Sequence, residues 1–376
     1  MIQRLGRSGR RDDQASEMRI FIEELPLGYD SGLIDRLHLD LLQAVALTEL
    51  MLEKWLEPPE IGCFDPSTLI QQILSVLAET GGVAAADLFQ RLIGRGAFAG
   101  VDKSEFIELL RHLGERSLVE QMAEGDLILG IEGERIVKSL EFYSAFASSK
   151  EFTVLHAGDA IGSISAIDPP PPHDHLLLAG RRWQVIDVDT QREEINVKPA
   201  RGRKATPFTG SGGEIHDRVR TKMKEIVLGT KPIPYLNQGA LDWLREAREI
   251  AAAVGLDRTA WHEISTNTCL LFTWSGSRTQ RTIVLFSRLA GIGAVDREVA
   301  VEFRAPQRVV RHKLLAIVRQ GLSEDDLIEQ EPFQERRKYD CFLPETLLRK
   351  SFAKNALNMT QCISLLDDVC SDDGTT

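Results

Sequence analysis

Apolar residues recur at helical spacing from Asp35 to Trp55 (Leu37, Leu41, Leu42, Val45, Leu47, Leu50, Met51, Trp55), and Glu57-Pro58-Pro59 stops the pattern. That spacing predicts an amphipathic helix. Three more helical patterns follow over Ser67 to Glu79, Ala84 to Leu92 and Lys103 to Arg116, separated by Gly81-Gly82 and the stretch from Gly94 to Gly100. Two short apolar runs, Leu118 to Gln121 and Leu127 to Ile131, come next. Three helices and then a small hairpin is the winged-helix order. Between Lys150 and Ala200 the period shortens to that of strands, at Phe152 to Leu155, Ile161 to Ile164, His175 to Leu178, Trp183 to Val188 and Ile195 to Val197. Short strands at this spacing predict a small barrel or sandwich, with Asp168 to Pro172 as an extended exposed loop. The remainder mixes helices (Glu214 to Leu228, Asn237 to Val254, Gln307 to Arg319, Pro344 to Leu357) with strands (Leu270 to Trp274, Glu298 to Phe303). Near the start, Met18 to Glu23 is a short apolar run of strand character.

Composition narrows the class. With 376 residues, 43% hydrophobic and 27% charged, the chain reads as folded protein of two or three domains. A net charge of −11 excludes coating nucleic acid through bulk positive charge, so such contact must come from local patches. The five cysteines are scattered and no two are spaced C-x-x-C, which signals reduced thiols rather than a disulfide framework or a zinc site. His173-Asp174-His175 lacks further ligands at metal spacing, and we assign no metal. No run approaches 18 apolar residues and no signal peptide is visible, so we expect a cytoplasmic protein without a membrane partner.

One motif carries chemistry. Gln3-Arg4-Leu5-Gly6-Arg7-Ser8-Gly9-Arg10 spells Q-x-x-G-R-x-G-R and resembles motif VI of superfamily 2 helicases. Phosphoryl transfer spreads negative charge over oxygens that planar guanidinium groups can clamp, and glycines let arginines three apart face one ligand. The order of elements after the motif resembles large-helicase-related (Lhr) proteins of the DEAD/DEAH-box group. So do Lys338-Tyr339-Asp340-Cys341-Phe342-Leu343-Pro344-Glu345-Thr346-Leu347-Leu348, Gly180-Arg181-Arg182-Trp183 and Pro207-Phe208-Thr209-Gly210. Thr209 stands where many of those proteins carry an aromatic residue.

The resemblance implies an α+β multidomain chain. Residues 1–28 would be the remnant of a second RecA-like domain with motif VI, and 29–60 a linking helix. A winged helix would span 61–148, a small β-barrel 149–213, a mixed α/β C-terminal domain 214–366 and a disordered tail 367–376. It makes Arg7 and Arg10 arginine fingers and Gln3, Gly6, Arg7 and Arg10 the nucleotide contacts. The lysine loop G-x-x-x-x-G-K-[ST] and a D-E-x-H run are both absent. ATP and Mg would therefore be held only by an upstream RecA-like partner, and the chain alone would be inactive.

Nucleic-acid contacts are expected from two basic stretches. Asn196 to Lys231 includes Lys198, Arg201, Arg203, Lys204, Arg218, Arg220, Lys222, Lys224 and Lys231. Arg278 to Arg319 has Arg278, Arg281, Arg288, Arg297, Arg304, Arg308, Arg311, Lys313 and Arg319 against Asp296, Glu298 and Glu302. Either could track phosphates, or be a solvated face balanced by acids. Trp274 beside Arg278 suits stacking of one base, or is a core residue at a strand end. Trp183 reads as barrel core. The third helix pairs Lys103, Arg111, His112 and Arg116 with Glu105, Glu108 and Glu115, which makes it a poor major-groove reader.

The expected function is the C-terminal, nucleic-acid-guiding part of an Lhr-type helicase acting on single-stranded DNA or an RNA–DNA hybrid, in DNA repair or defence. It would work as a split subunit with an upstream helicase fragment, or be a truncated frame. The rival is a free-standing winged-helix nucleic-acid-binding or adaptor protein. An inert remnant is the third reading.

Overall fold

The structure is a computed structural model that describes residues 17–24, 27–28, 31–59, 64–146, 150–166, 169–170, 172, 174–178, 181–190, 192–200, 214–328 and 337–371. The chain forms two compact units, Met1–Cys63 with Glu214–Pro332 and Arg349–Thr376, and Phe64–Gly213 with Phe333–Leu348. It is mixed α+β. In chain order, α1 (Leu39–Leu52) leads into the second unit with α2 (Pro66–Thr80), β1 (Val83–Ala84), α3 (Ala85–Phe89), a π turn (Gln90–Gly94) and α4 (Lys103–Glu115). Then come β2 (Val119–Gln121), β3 (Asp126–Leu129), α5 (Ile131–Val137), β4 (Lys150–His156), β5 (Asp159–Ala166), β6 (His175–Leu178), β7 (Arg181–Asp189) and β8 (Glu194–Pro199). The first unit resumes with α6 (Asp217–Leu228), α7 (Gln238–Ala253), β9 (Trp261–Ser265), β10 (Thr268–Phe272), α8 (Ser277–Leu289), β11 (Ala294–Asp296) and β12 (Ala300–Phe303). The last helices are α9 (Gln307–Gln320), α10 (Glu324–Ile328), α11 (Glu345–Ala356) and α12 (Met359–Ser371). Among the described residues no helix is long and apolar enough to cross a membrane.

Local chemistry sets the helix ends of the second unit. Asp65 accepts from Thr68 N at 3.0 Å ahead of Pro66, and Asp102 with Glu105 forms a reciprocal cap on α4. The hairpin β2–β3 gains β1 as a third antiparallel strand, in the order β1-β3-β2. Ile70, Ile73, Leu74, Leu88, Phe106, Leu109 and Leu113 form the core between the helices and this sheet.

The core is completed from more than 200 residues downstream. Tyr339, Leu343 and Leu347 are buried in it. Tyr339 N donates to Ser67 Oγ at 3.1 Å, Arg116 Nη1 to the Cys341 carbonyl at 2.9 Å, and Arg337 Nη1 lies 2.5 Å from Asp65 Oδ1. Lys338 Nζ caps the carbonyls of Glu141 and Ser144, and Thr346 bonds Glu108. The segment Lys338 to Leu348 is thus a structural part of this helical core.

The expected β-barrel takes a different form. The five strands lie in the order β5-β4-β8-β7-β6, with β4 and β8 parallel and the other neighbours antiparallel. The sheet curls over Phe152, Val154, Trp183, Val185, Ile195 and Val197. It stays open among the described residues. Its edges meet side chain to backbone, with Leu178 of β6 packed against Gly162 of β5.

In the first unit a four-stranded antiparallel sheet, β11-β12-β10-β9, packs with α8. Leu41, Leu42, Val45 and Leu50 of α1 join Met223 and Ile226 of α6, Leu244 and Ala247 of α7, and Leu270 and Phe272 of β10 in one core. The tail expected from Asp367 is corrected by α12, which runs through Ser371. Cys362, Leu366 and Cys370, each four residues on from the last, are buried, and the Val369 carbonyl accepts from Trp261 Nε1 at 3.0 Å.

The downstream closure is testable. Leu343→Ala should cost about 2–5 kcal/mol. Tyr339→Phe should cost nothing and gain about 1 kcal/mol, because the buried Tyr339 hydroxyl has no partner among the described residues. Denaturant melts check both, and hydrogen exchange should localise the Leu343→Ala loss to residues 64–143.

Candidate nucleic-acid interface

The turn before α8 brings the two arginines named from sequence onto one carboxylate. Gly276 is required there, since a Cβ would lie 2.5 Å from the Ile215 carbonyl oxygen and 2.8 Å from Asp217 N. That close approach lets Ser277 N donate to the Ile215 carbonyl at 3.0 Å and Ile215 N to Ser277 Oγ at 2.9 Å. Asp217 Oδ1 accepts from Gly276 N at 2.6 Å. Glu214, one residue before this stitch, meets Arg278 Nε at 2.7 Å and Arg281 Nη1 at 2.9 Å. Arg281 also donates to the Ala356 carbonyl at 2.6 Å.

Burial pushes the Glu214 carboxyl up, but the hydrogen bonds and charges of Arg278 and Arg281 outweigh it and hold it below its usual range. Arg278 and Arg281 therefore share one carboxylate, and a phosphate would have to compete with Glu214 for them. Trp274 is a correction. It is 4% exposed, adopts φ 49° and stacks on Phe272 at 6.1 Å, so no base can reach its face.

In the stretch from Asn196 to Lys231 most described cations are paired, whereas Lys224 is exposed on α6. In α6, Lys222 lies 2.7 Å from Glu53 and 2.5 Å from Glu225, Arg218 meets Glu225 at 2.7 Å, and buried Arg220 meets Glu298 at 3.3 Å. Lys231 bonds Glu49 at 2.7 Å. Lys198 is exposed near the end of β8. Gln3, Gly6, Arg7, Arg10, Arg201, Arg203, Lys204 and Pro207 to Gly210 lie outside the described residues.

The free cations of the second stretch lie on α9 and just before it. From Phe303 to Ser323 the sequence has no acidic residue. Val310, Leu314 and Ile317 bury one side of α9, and Arg308, His312 and Arg319 fall on the opposite side, while Arg304 lies between β12 and the helix. All four are exposed, and among the described residues none of their side chains has an ion-pair or hydrogen-bond partner. Arg311 is half-buried and donates to the Cys370 carbonyl at 3.3 Å, and Lys313 donates to the Ala290 carbonyl at 3.0 Å. Trp274 drew the expected site toward the arginines of α8 and away from this stripe. The signal for the stripe was present in the acid-free run with arginines at helical spacing.

The hairpin of the second unit offers no such surface. Its exposed positions include Glu120, Glu124 and Asp126, and on α4 Glu108 and Arg116 are engaged with Thr346 and Cys341. Among the described residues no three His, Cys, Asp or Glu side chains are grouped to hold a metal. No family model, curated protein or solved structure matches the chain.

Three outcomes follow from this charge distribution. If a single strand lies along α9, replacing Arg304, Arg308 and Arg319 with Ala should weaken its binding and flatten the log affinity against log salt slope by about 0.7 for each phosphate that is no longer neutralised. Replacing Arg278 and Arg281, which share the Glu214 carboxylate, should flatten that slope less. Glu214→Gln should destabilise the fold at neutral pH. Because the folded-state pKa is depressed, the wild-type advantage is complete above the unfolded carboxylate value and disappears as pH falls through the folded value. Urea midpoints of both proteins across the acid range check the sign.

Proposed function

We propose that the chain is the nucleic-acid-guiding part of an Lhr-type ATP-dependent helicase, acting on a single strand, with no ATP hydrolysis of its own. The observation that carries the nucleic-acid half is the arginine stripe of Arg308 and Arg319 with Arg304 just before it, without ion-pair partners among the described residues, on a chain of net charge −11. Phosphates laid along α9 would release counterions without first breaking protein ion pairs. The helicase half rests on the resemblance of Gln3 to Arg10 to motif VI. The arrangement α2, β1, α3, α4, β2 and β3 supports a winged helix over residues 64–143, and the curled sheet β4–β8 supports an opened form of the barrel.

In this reading ATP and Mg are held by an upstream RecA-like partner, and this chain supplies Arg7 and Arg10 to the charge that develops during phosphoryl transfer. The winged helix serves as a packing module, since its third helix engages Thr346 and Cys341 and its hairpin is acidic. A free-standing regulator would instead need a basic recognition face there.

The purified chain should show no ATPase activity above background, with or without DNA. Mixed with a fragment carrying the lysine loop and D-E-x-H run, it should restore DNA-stimulated hydrolysis. Arg7→Ala or Arg10→Ala should lower that turnover on the order of 10³-fold while anisotropy titrations of single-stranded DNA stay unchanged. Arg7→Lys should be nearly as damaging, because an ammonium lacks the planar fork. Full turnover from the double alanine variant would remove the helicase reading and leave the free-standing binding module.

A further inference from the structure

We infer that the small cavity between α6, the turn from α7 to β9 and the end of β10 is a binding site for a phosphate group. The first pointer is a tryptophan without a hydrogen bond. Trp183 and Trp261 are buried and each places its indole N–H on a carbonyl, Trp183 Nε1 on Leu178 at 3.2 Å and Trp261 Nε1 on Val369 at 3.0 Å. Trp274 is buried as deeply, and its Nε1 has no acceptor among the described residues. A buried indole ordinarily finds one, because a donor left unmade keeps the full desolvation cost of the group.

Trp274 is also held at φ 49°, a left-handed conformation that a bulky residue rarely adopts. Thr273 N and Trp274 N both donate to the Val299 carbonyl, at 3.0 and 3.1 Å, and Ser275 N donates to Thr273 Oγ1 at 3.3 Å. The neighbours thus over-determine the strained backbone, which is how a fold specifies the position of a functional side chain.

The cavity that Trp274 borders offers further donors. It measures about 140 Å³ and is lined by Lys224 of α6, by residues 256–260 of the turn and by Trp274. This is several times the roughly 30 Å³ share of one water and well below the about 300 Å³ at which ordinary small-molecule pockets begin, so it suits one small polar group. Lys224 is exposed, and among the described residues its ammonium has no ion-pair or hydrogen-bond partner. The Arg258 guanidinium lies over Gly255, where a Cβ would come within 3.2 Å of Nη2, so glycine at φ +71° lets it rest against the turn. Thr259 Oγ1 accepts from Trp261 N at 3.1 Å, and its own proton has only a long contact of 3.4 Å to the Trp261 carbonyl. Asp257 is the one acid of the lining, and its 3.7 Å contact to Arg258 Nε is exposed at both ends and correspondingly weak.

These donors come from three elements. A tetrahedral phosphate presents acceptor oxygens in several directions and carries the charge that an ammonium and a guanidinium match, whereas a planar carboxylate has two oxygens on one side. The ligand would meet the indole N–H and not the ring face, which stacks on Phe272. The site is independent of the helicase reading, and its phosphate is either free or part of a nucleic-acid strand.

The test follows the indole N–H resonances of the full, isotope-labelled chain while inorganic phosphate is added to about 50 mM at constant ionic strength. The chain has five tryptophans, and Trp274→Phe identifies its resonance, as do the four other replacements by elimination. The Trp274 resonance should move downfield and saturate while the others stay in place. Lys224→Met and Arg258→Gln, both at exposed positions, should each weaken phosphate about fivefold, and Asp257→Asn should tighten it about threefold. Unchanged resonances of the other tryptophans show that these variants are folded. Acetate should leave the Trp274 resonance where it is. Short oligonucleotides with and without a terminal phosphate separate the sources: a response to both assigns a backbone phosphate, a response to the phosphorylated one alone a terminal phosphate, and a response to inorganic phosphate alone the free ion. A Trp274 resonance that stays still, moves equally with acetate, or moves without regard to Lys224 and Arg258 would overturn the proposal.

Discussion

The first unit depends on a helix that has almost no solvent-facing side. Thr279, Gln280, Thr282, Ile283, Val284, Leu285, Phe286 and Ser287 of α8 are all buried, so each polar side chain must find a partner inside the protein. Ser287 returns its hydroxyl to the Ile283 carbonyl, and Gln280 donates to the Glu298 carbonyl at 3.0 Å. Thr282 donates to the Arg278 carbonyl and accepts from Asn358 N at 2.9 Å. These bonds hold the turn after β11 and the entry to α12 against one helix. They also explain why the first turn of α8, where positive charge opposes the helix dipole, carries Glu214 between its two arginines.

The same desolvation logic sorts the cations of this unit. Those drawn partly inside, on α6 and at the start of α8, are matched to Glu53, Glu225, Glu298 or Glu214, because a half-buried charge left alone is costly. Those that stay outside need no such partner. What remains to act on a ligand is therefore decided by burial, and a count of basic residues along the sequence cannot separate the two groups. On α9 the apolar residues take one side and the arginines the other, so the stripe is cationic and solvated.

How much was legible follows from this. Helices with one apolar stripe, such as α1, α2, α6, α7 and α9, could be read from period alone. Helix α8 could not, since its buried side is nearly complete and is built partly from Thr, Gln and Ser, which blur any period. Strand β9 buries Trp261 alone of its five residues, so it shows no alternation. Residues Asp367 and Asp368 suggested a tail because the buried cysteines of α12 do not stand out as core residues in composition. The ion pairs of Arg278 and Arg281 join positions 64 and 67 residues apart from Glu214, a distance at which local charge balance carries no information. The acid-free run before α10 was visible, and its significance lay in the absence of acids as much as in the arginines.

A localised cationic stripe on an acidic protein also constrains the kind of polyanion it would admit on the proposed reading. Charges beyond about 8 Å are largely screened at physiological ionic strength, so the attraction of Arg304, Arg308 and Arg319 acts only near α9. A rigid duplex laid on the stripe would extend its phosphates beyond the reach of these arginines. A single strand can follow the stripe and bend away from the rest. The net charge of −11 would then suppress non-specific capture, and selectivity for a flexible strand would come from repulsion by the surroundings as well as attraction by the helix.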